Sequence, residues 1–474
     1  MLPSHWLTLH GLAVSLAVLV YVFSSHAMRQ RRPPASAIAW VLFIVLLPYV
    51  ALPAFLLLGS RKLARPASLA GTAPRPLASG DGWAAGTIVS LGQPAPAAYR
   101  DLRLHRDGRQ AQEALMRTID GAQATLDLCT FILGREGPGQ AVVDRLTAKA
   151  GQGVRVRLLL DGMGSLMQRP PSLDRLTRAG AEFVRFVPPL RSPIRGRTNL
   201  RDHRKMLIAD AGLPSARLWC GGRNLAAEYF MGSAGQAPWR DLSFDLGGAL
   251  VQQASELFEH DWRFARGLPS LPREVLHASA QAGEGAQLVA SGPDQADDTV
   301  LALLLTAAYR AKARIALATP YFVPDAALLM ALCLAARRGV VVDLLVPARS
   351  NHRLSDMARG RALRSLAQAG GRIWLAPGMM HAKLAVFDQT LALCGSANLD
   401  SRSLLLNYEL MCAFHPPADV QRFADWFDQE RGTAQPYVGH RTRARARHRR
   451  RHAAVAGVPA LIPAIASEMC QRVD

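Results

Sequence analysis

The chain has 474 residues, of which half are apolar and 19% are charged, a low charged fraction for a purely soluble protein. A chain of this length exceeds a single minimal core and predicts two or three domains. Its 56 Lys and Arg residues against 36 Asp and Glu give a formal charge of +20. This charge favours a polyanionic partner, either nucleic acid or an anionic membrane surface.

Two apolar runs open the chain, at 6–23 and 33–60, and neither contains Lys, Arg, Asp or Glu. At about 1.5 Å per residue, each is roughly long enough to cross a hydrocarbon core of about 30 Å. A cleaved signal peptide is the alternative for the first run, but residues 1–5 lack Lys and Arg and the run exceeds the usual core of roughly 7–15 residues. We therefore predict a two-helix membrane hairpin, which Pro48 and Pro53 could kink or make re-entrant.

The basic residues that flank these runs leave the orientation of the hairpin undetermined. Three arginines lie in the connection and three basic residues follow the second run, so the two sides nearly balance. A hairpin that spans twice nevertheless puts residue 1 and the large remainder of the chain on the same side of the membrane.

The six cysteines form no C-x-x-C pair and none lies beside a histidine at metal-ligand spacing. Most lie in apolar runs, so we interpret all of them as reduced structural residues, which suits a cytoplasmic catalytic domain. They are Cys129, Cys220, Cys333, Cys394, Cys412 and Cys470.

An internal duplication with a period of about 180 residues organises the rest of the chain. Strand-like apolar runs alternate with helical patterns in both copies, which predicts an α/β fold of two pseudo-symmetric domains with mixed or largely parallel sheets flanked by helices. The expected strands are 125–133, 154–160 and 179–186 in the first copy, and 314–319, 340–346 and 369–376 in the second. The expected helices are 111–122, 140–150, 300–311 and 326–337.

Each copy contains the pattern His-x-Lys-x-x-x-x-Asp, followed by glycine and then asparagine. The residues are His203, Lys205, Asp210 and Asn224 in the first copy, and His381, Lys383, Asp388, Ser396 and Asn398 in the second. On a strand, His and Lys two positions apart share a face, whereas the Asp seven positions after the His points to the opposite face. The spacing therefore puts the His and Lys residues in a site and gives both aspartates a structural role.

Two histidines and two lysines suit phosphodiester chemistry. The lysines would stabilise the negative charge on the phosphoryl oxygens. One histidine would attack phosphorus while the other protonates the leaving alkoxide and then deprotonates the acceptor. Glu409 and Glu228 follow the two motifs at similar distances and are the candidates for orienting His381 and His203. This chemistry requires no metal ion, and we predict neither a metal nor another cofactor.

The duplicated motif resembles that of the phospholipase D superfamily, and the bacterial cardiolipin synthase branch most of all. The segment HAKLAVFDQTLALCGSANLDSRSLLLNYEL is similar to that branch throughout, as are TPYFVPD, WRDLSFDL, FEHDW and the amino-terminal run RRPPASAIAWVLFIVLLPY. Asp202 differs from the family pattern, which often has Asn before the first histidine.

The resemblance implies phosphatidyl transfer through a covalent phosphohistidine, usually from one phosphatidylglycerol to another with release of glycerol. It implies that Asn224, Asn398 and Ser396 join the lysines in binding phosphate, and it includes Asp210 and Asp388 in the site because the family motif contains them. His203 is expected to be the nucleophile and His381 the acid, although the near-symmetry allows the reverse.

The resemblance also implies anionic phospholipid substrates, no nucleic-acid partner, and residence in the bacterial inner membrane with the catalytic domains on the cytoplasmic side. A phospholipase D hydrolase, a nuclease of the same superfamily and an inactive membrane scaffold are the alternatives. The predicted organisation is a membrane hairpin at 1–60, a Pro/Ala/Gly-rich linker at 61–100, phospholipase D-like domains at 101–270 and 285–435, and a basic tail at 436–474. Seven arginines lie within 441–452 of that tail, which would attract anionic headgroups.

Overall fold

A computed structural model describes residues 4–27, 34–59, 82–188, 199–232, 235–269, 284–295 and 297–438. The chain divides into two compact units, Met1–Gln435 and Pro436–Asp474. Only residues 436–438 of the second unit are among those described, so the predicted Arg-rich segment at 441–452 lies outside them.

The amino-terminal apolar region forms three helices: α1 (Ser4–Ala27), α2 (Pro34–Leu46) and α3 (Pro48–Leu58). In α1 the stretch Thr8–Ser25 is long and apolar enough to cross a membrane. The second predicted span is interrupted at Leu47, because a residue that precedes proline is disfavoured in helical geometry and Pro48 has no N–H to continue the ladder. The expected kink is therefore present, and Tyr21 of α1 packs against Phe55 of α3.

The predicted linker at 61–100 is described from residue 82 onward. Residues 82–99 contain helix α4 (Trp83–Ser90), which packs against helix α11 (Thr299–Arg310) of the second repeat. The part of the linker at 60–81 lies outside the described residues.

The first repeat contains strands β1 to β7 and helices α5 to α10. The strands are β1 (Arg100–His105), β2 (Thr125–Thr130), β3 (Arg155–Asp161), β4 (Glu182–Phe186), β5 (Met206–Ala209), β6 (Arg217–Gly221) and β7 (Ser243–Gly247). The helices are α5 (Gly108–Gly121), α6 (Pro138–Gly151), α7 (Gly164–Met167), α8 (Asp174–Arg178), α9 (Ala227–Phe230) and α10 (Leu250–Arg266).

The second repeat runs from β8 to α15. Its strands are β8 (Ala286–Ser291), β9 (Arg314–Ala318), β10 (Phe322–Val323), β11 (Val341–Pro347), β12 (Arg372–Ala376), β13 (Leu384–Phe387), β14 (Leu391–Gly395), β15 (Leu399–Asp400) and β16 (Glu409–Phe414). Its helices are α11, α12 (Ala326–Arg337), α13 (Arg353–Gln368), α14 (Ser401–Leu405) and α15 (Pro417–Gly432), and a two-residue strand, β17 (Gln435–Pro436), lies at the unit boundary.

The two main sheets have the same strand order, which confirms the predicted pseudo-symmetric α/β fold. The first runs β1-β7-β6-β5-β2-β3-β4, and the corresponding strands of the second run β8-β16-β14-β13-β9-β11-β12. In the two main sheets the β2-β3-β4 and β9-β11-β12 ladders are parallel. The ladders that join β1, β7, β6, β5 and β2, and those that join β8, β16, β14, β13 and β9, are antiparallel. The sheets are therefore mixed, which is one of the two expected arrangements, because hairpins and not helical crossovers connect the strands after each motif lysine, as in β5–β6 and β13–β14.

One hydrophobic cluster joins the two sheets. It contains Cys220 and Phe244 from the first sheet and Cys394, Cys412 and Phe414 from the second, all nearly inaccessible to solvent. The sheets therefore pack on each other around a shared core. This core fixes the position of β5 relative to β13, the two strands that follow the His-x-Lys motifs. None of the five described cysteines forms a disulfide, and Cys470 lies outside the described residues.

A buried histidine between β16 and α15 makes the stability of this core depend on pH. His415 Nε2 lies 2.8 Å from the Gln287 side-chain oxygen, and burial lowers the pKa of His415 to about 4. In the unfolded chain a histidine titrates at about 6.5, so the unfolded state binds the additional proton between these values. The contribution of neutral, buried His415 to the free energy of unfolding is fully present above about pH 6.5. It decreases by at most about 3 kcal/mol as the pH falls towards 4.

We expect His415→Gln to reduce the decrease in unfolding temperature between pH 6.5 and 4, the acid branch of the pH profile, measured by thermal denaturation in detergent. The matched control is His352→Gln, since His352 is exposed. An unchanged acid branch in the His415 variant would contradict the assignment.

Candidate active site

The two motif histidines lie in extended segments immediately before β5 and β13, and each segment pairs with the opposite repeat. His203 N donates to Tyr408 O at 2.9 Å, and His381 N donates to Arg240 O at 2.6 Å. The residues just before the histidines complete the two pairs, since Tyr408 N donates to Arg201 O and Arg240 N donates to Met379 O. The repeats therefore exchange backbone hydrogen bonds at the histidines themselves.

A carboxylate from the opposite repeat lies beside each histidine. His381 Nδ1 is 2.7 Å from Asp241 Oδ2, and both side chains are buried. His203 Nδ1 is 3.5 Å from Glu409 Oε1 and 3.4 Å from Asn407 Nδ2, which itself donates to Glu409 Oε1, and the His203 side chain remains 22% exposed. A carboxylate on Nδ1 fixes the proton there and leaves Nε2 with the lone pair that a nucleophile or base requires.

Asp241 and Glu409 are equivalent positions in the two repeats. Gly221 pairs with Ser243 and Gly395 pairs with Met411, so each acid lies two residues before the partner of its motif glycine. The prediction that Glu409 orients His381 and Glu228 orients His203 was therefore wrong. The distances of Glu228 and Glu409 from their motifs are similar, but these two residues are not equivalent. When the glycines and the strands that follow them are aligned, Asp241 corresponds to Glu409.

Glu228 has a different environment from the one predicted. It lies four residues after Asn224, at the position that Arg402 holds four residues after Asn398. Its carboxylate accepts a hydrogen bond from Gln168 Nε2 at 3.0 Å. Its backbone oxygen accepts from Trp239 N at 2.8 Å, and the Trp239 ring lies 5.5 Å from that of His381.

The lysines occupy the same position in both repeats. Lys205 Nζ and Lys383 Nζ each donate to the backbone oxygen of the histidine two residues earlier. Lys383 Nζ also lies 2.7 Å from His381 Nδ1 and 3.0 Å from His381 Nε2. Each His and Lys pair therefore forms one compact polar group, although β5 and β13 begin just after the lysines and not at the histidines.

Asp210 and Asp388 accept hydrogen bonds from the backbone of the neighbouring strands. Asp210 accepts from the backbone N–H groups of residues 123, 124 and 125, and Asp388 accepts from those of residues 312, 313 and 314. Both aspartates adopt left-handed backbone conformations, with φ of 52° and 49°, which Asp tolerates better than most residues. Their carboxylates tie the motif strands to the starts of β2 and β9, in agreement with the structural role inferred from spacing.

The three residues predicted to bind phosphate differ in their contacts. Asn224 Nδ2 donates to the Tyr229 hydroxyl at 2.8 Å, and the Asn398 amide hydrogen-bonds Asp400. The buried Asn398 Oδ1 has no hydrogen-bond partner among the described residues. Ser396 Oγ donates to Glu409 Oε2 at 2.6 Å and accepts from Leu410 N, so its hydroxyl holds the carboxylate that faces His203.

Burial and positive charge keep both histidines neutral in the free protein. Burial and the Lys383 ammonium lower the pKa of His381 to about 4, while the adjacent Asp241 opposes this effect. Burial, Lys205 and Arg402 lower the pKa of His203 well below its ordinary value. Burial also lowers the pKa of Lys383 to about 7, and although burial opposes ionisation of Asp241, the charges of His381 and Lys383 bring its pKa down to about 2. A bound phosphodiester anion would reverse these shifts.

A buried ionic network lies behind His203. The Arg204 guanidinium donates to both Asp261 carboxylate oxygens, and Arg204 Nε lies 3.2 Å from Glu409 O. His260, Asp261 and Asp294 bring three possible metal ligands within 4.8 Å of one another, a grouping that the sequence reading did not anticipate. Because Arg204 already neutralises Asp261, we interpret the cluster as a support for the His203 segment.

The fold and the repeat-related His and Lys pairs define a two-repeat protein of the phospholipase D class. Among solved structures, the phosphatidylserine synthase of Haemophilus influenzae Rd KW20 is similar in fold, with a TM-score of 0.58 and 12% identity over 73% of this chain and 90% of that chain. The polyphosphate kinase of Porphyromonas gingivalis has a TM-score of 0.51 and 14% identity over 72% of this chain and 49% of that chain.

Sequence relatives narrow the class further. Residues 115–262 and 304–431 match the family model "Cardiolipin synthase, PLD-like domain", and residues 13–60 match "Phospholipase_D-nuclease N-terminal". Cardiolipin synthase A of Pseudomonas aeruginosa (strain LESB58) is 32% identical over 84% of this chain and 85% of its own length. Cardiolipin synthase 1 of Bacillus cereus (strain ATCC 14579) is 31% identical over 85% and 84%, respectively. The chain therefore belongs to the cardiolipin synthase family of phospholipase D-like proteins.

We expect Asp241→Asn and Glu409→Gln each to lower turnover by about 10²–10⁴-fold while the protein remains folded, because each removes the group that orients a histidine of the opposite repeat. The readout is phospholipid turnover, with circular dichroism as the test of folding.

The matched control is Asp210→Asn, which weakens hydrogen bonds to backbone amides at the start of β2. This variant should lose about 1–3 kcal/mol of stability and retain far more activity than the other two once folded. Equal activity losses in all three variants at full folding would contradict the orienting role.

Proposed function

We propose that the protein is a phosphatidyltransferase that makes cardiolipin from two phosphatidylglycerol molecules and releases glycerol, through a covalent phosphohistidine. The observation that carries this proposal is the pairing of each motif histidine with a carboxylate of the opposite repeat. It provides two imidazoles whose Nε2 atoms are available for reaction, beside two buried lysines. The choice of phospholipids as the substrate class rests on the relatives, which are named cardiolipin synthases.

In the first step, His203 Nε2 attacks phosphorus of the donor phosphatidylglycerol and the bond to the glycerol oxygen breaks. The proton on His381 Nε2 passes to that oxygen, so glycerol leaves as a neutral alcohol. Lys205 and Lys383 stabilise the charge on the phosphoryl oxygens, together with the Asn224 and Asn398 amides. Asp241 stabilises the imidazolium form of His381 that donates the proton.

In the second step, neutral His381 removes a proton from a hydroxyl of the second phosphatidylglycerol. The resulting alkoxide attacks phosphorus, the P–N bond to His203 breaks, and cardiolipin forms with both histidines returned to their starting states. The bound anionic diester supplies the negative charge that raises the histidine pKa values from their low values in the free protein.

Two features of the site favour His381 as the acid. Its 2.7 Å contact with Asp241 is shorter than the 3.5 Å contact between His203 and Glu409, so it better supports a positive charge. His203 has Lys205 and Arg402 as the positive neighbours that lower its pKa most, which favours the neutral form that a nucleophile needs.

The apolar helix α1 and the match of residues 13–60 support residence in a membrane. We infer that this is the bacterial inner membrane and that the catalytic repeats lie on its cytoplasmic side, where the reduced cysteines are stable. Anionic lipid then serves both as the substrate and as the surface that attracts this basic chain.

The test is the mass spectrum of lipid products from the purified protein in detergent–phosphatidylglycerol micelles. We expect cardiolipin with stoichiometric glycerol, and neither product from His203→Ala or His381→Ala, each of which should remain folded. Phosphatidic acid as the sole product would replace the transferase with a phospholipase D hydrolase. Full activity in either single variant would rule out a mechanism that shares both histidines.

A further inference from the structure

A cavity in the first repeat borders the reaction centre and takes no part in the steps described above. Its volume is about 310 Å³, and its polar lining comprises Arg135, Glu136, Gln168, Arg169 and Glu228. The charged side chains in this lining sum to zero, and the lining contains no aromatic residue. Gly134, Ala226 and Ala227 complete the lining with small backbone-rich surface. The four charged side chains and the carboxamide suit a small polar group, and the lining lacks the aromatic cage that a choline group needs.

Backbone contacts place this cavity next to both Asn224, whose amide is proposed to bind phosphate, and His381. Residues 226–228 line it, immediately after Asn224 and Leu225, and Gly134 N donates to Leu225 O at 2.7 Å across the cavity wall. Trp239 N bonds the Glu228 backbone oxygen, and Tyr229 follows Glu228 in α9. The rings of Trp239 and Tyr229 lie 5.5 Å and 4.9 Å from the ring of His381.

The equivalent position in the second repeat carries the opposite charge. Glu228 and Arg402 each lie four residues after the motif asparagine. Arg402 contacts Asn199 and lowers the pKa of His203, so the side of the site near His203 is cationic. The side near His381 instead presents a carboxylate joined to a carboxamide through the bond between Glu228 and Gln168. The two sides of the site therefore have similar backbones, but they carry opposite charges at the equivalent positions 228 and 402.

We propose that this cavity is the alcohol subsite and that it binds the polyol headgroup of the acceptor phospholipid. The inference rests on the proposed function. A carboxylate accepts hydrogen bonds from two hydroxyls, and the carboxamide both donates and accepts, a combination that fits a vicinal diol. Arg135 and Arg169 provide the positive charge for the acceptor's own phosphate.

The chemistry of a two-step transfer supports the same choice of ligand. In an in-line displacement the leaving alcohol departs beside the acid, and the acceptor alcohol must enter at the same place to reach the same base. Glycerol leaves in the first step and a glycerol headgroup attacks in the second. One polyol subsite beside His381 therefore serves both half-reactions.

The experiment separates the alcohol subsite from the phosphohistidine chemistry by using a donor whose leaving group does not need the cavity. Phosphatidyl-p-nitrophenol releases a stabilised phenolate, and the phosphoenzyme then partitions between water and added glycerol. We expect Glu228→Gln and Gln168→Ala to release p-nitrophenol at nearly the rate of the unaltered protein. Both should lower the ratio of phosphatidylglycerol to phosphatidic acid by about tenfold or more, because a charged or amide hydrogen bond to the acceptor is lost.

The matched control is Glu113→Gln, which removes a carboxylate from a separate surface groove lined by Arg109 and Arg117 and should leave the ratio unchanged. An unaltered ratio in the Glu228 variant would overturn the proposal, as would a preference of the unaltered protein for ethanolamine over glycerol. Failure of the unaltered protein to release p-nitrophenol would contradict the proposed function instead, so the two failures are distinguishable.

A second inference comes from exposed apolar side chains at equivalent places in the two repeats. Leu166 and Met167 follow β3 and are 65% and 60% exposed, and Leu354 and Met357 follow β11 and are 81% and 78% exposed. Asp161, at the end of β3, accepts from Asp202 N beside His203, so this is the edge of the sheet that carries the site. On α13 the exposed Arg361 and Arg364 continue the stripe that Leu354 and Met357 begin, at helical spacing.

We infer that these four apolar side chains insert into an anionic bilayer around the mouth of the site, with Arg361 and Arg364 at headgroup depth. Apolar tips followed by basic residues are the pattern of an interfacial helix, and the charge complements anionic lipid. Docking of this edge would let a headgroup enter the site while its acyl chains stay in the membrane.

The test uses the full chain in phosphatidylglycerol vesicles that contain brominated lipid. We expect additional tryptophan fluorescence from Leu354→Trp to be quenched, and that from Leu213→Trp, in the β5–β6 turn at the opposite end of the motif strand, to be unaffected. Absence of quenching at position 354 would overturn the inference. So would a signal that depends on protein concentration and not on brominated lipid, because it would identify a second copy of the chain as the occupant.

Discussion

The hydrogen bond between a histidine of one repeat and a carboxylate of the other is the interaction on which the site depends. Asp241 belongs to the first repeat and contacts His381 of the second, while Glu409 belongs to the second and lies beside His203 of the first. Neither repeat alone contains a histidine together with the acid that orients it. This exchange requires a fixed relation between the sheets, which the shared core around Phe244 and Phe414 and the backbone pairing at the histidines both provide.

The same arrangement sets the electrostatics of the site. Two lysines, two histidines and two acids in a buried volume would be costly if each charge were unpaired. Pairing across the repeats places a carboxylate beside each imidazole and keeps Lys205 and Lys383 within reach of both acids. The free protein therefore contains neutral histidines, and the two lysines balance the two carboxylates. A bound phosphodiester anion adds negative charge and raises the pKa values of the imidazoles. Asp210 and Asp388 lie outside this balance, because their charge is used at the backbone of β2 and β9.

The periodic and duplicated features of the chain were predictable from the sequence, because they depend on local pattern. The motif spacing predicted a structural role for Asp210 and Asp388, which accept hydrogen bonds from backbone amides. The alternation of strands and helices predicted the repeated α/β fold. The partners of His203 and His381 were not predictable from spacing within one copy, since they come from the other copy and depend on sheet register. The contact of Ser396 depends on the same register, which places its hydroxyl on Glu409. The sequence did not indicate which half of each sheet is antiparallel, because short hairpin strands such as β5 and β6 carry little periodicity.

Nitrogen NMR of the protein labelled at histidine tests the exchange between repeats most directly, because it reports which ring nitrogen carries the proton. The account predicts that both His203 and His381 are protonated at Nδ1 near neutral pH. It further predicts that Asp241→Asn changes the His381 resonances and leaves those of His203 in place, and that Glu409→Gln does the reverse. A change confined to the histidine of the same repeat, or a proton on Nε2 of either ring in the unaltered protein, would contradict it.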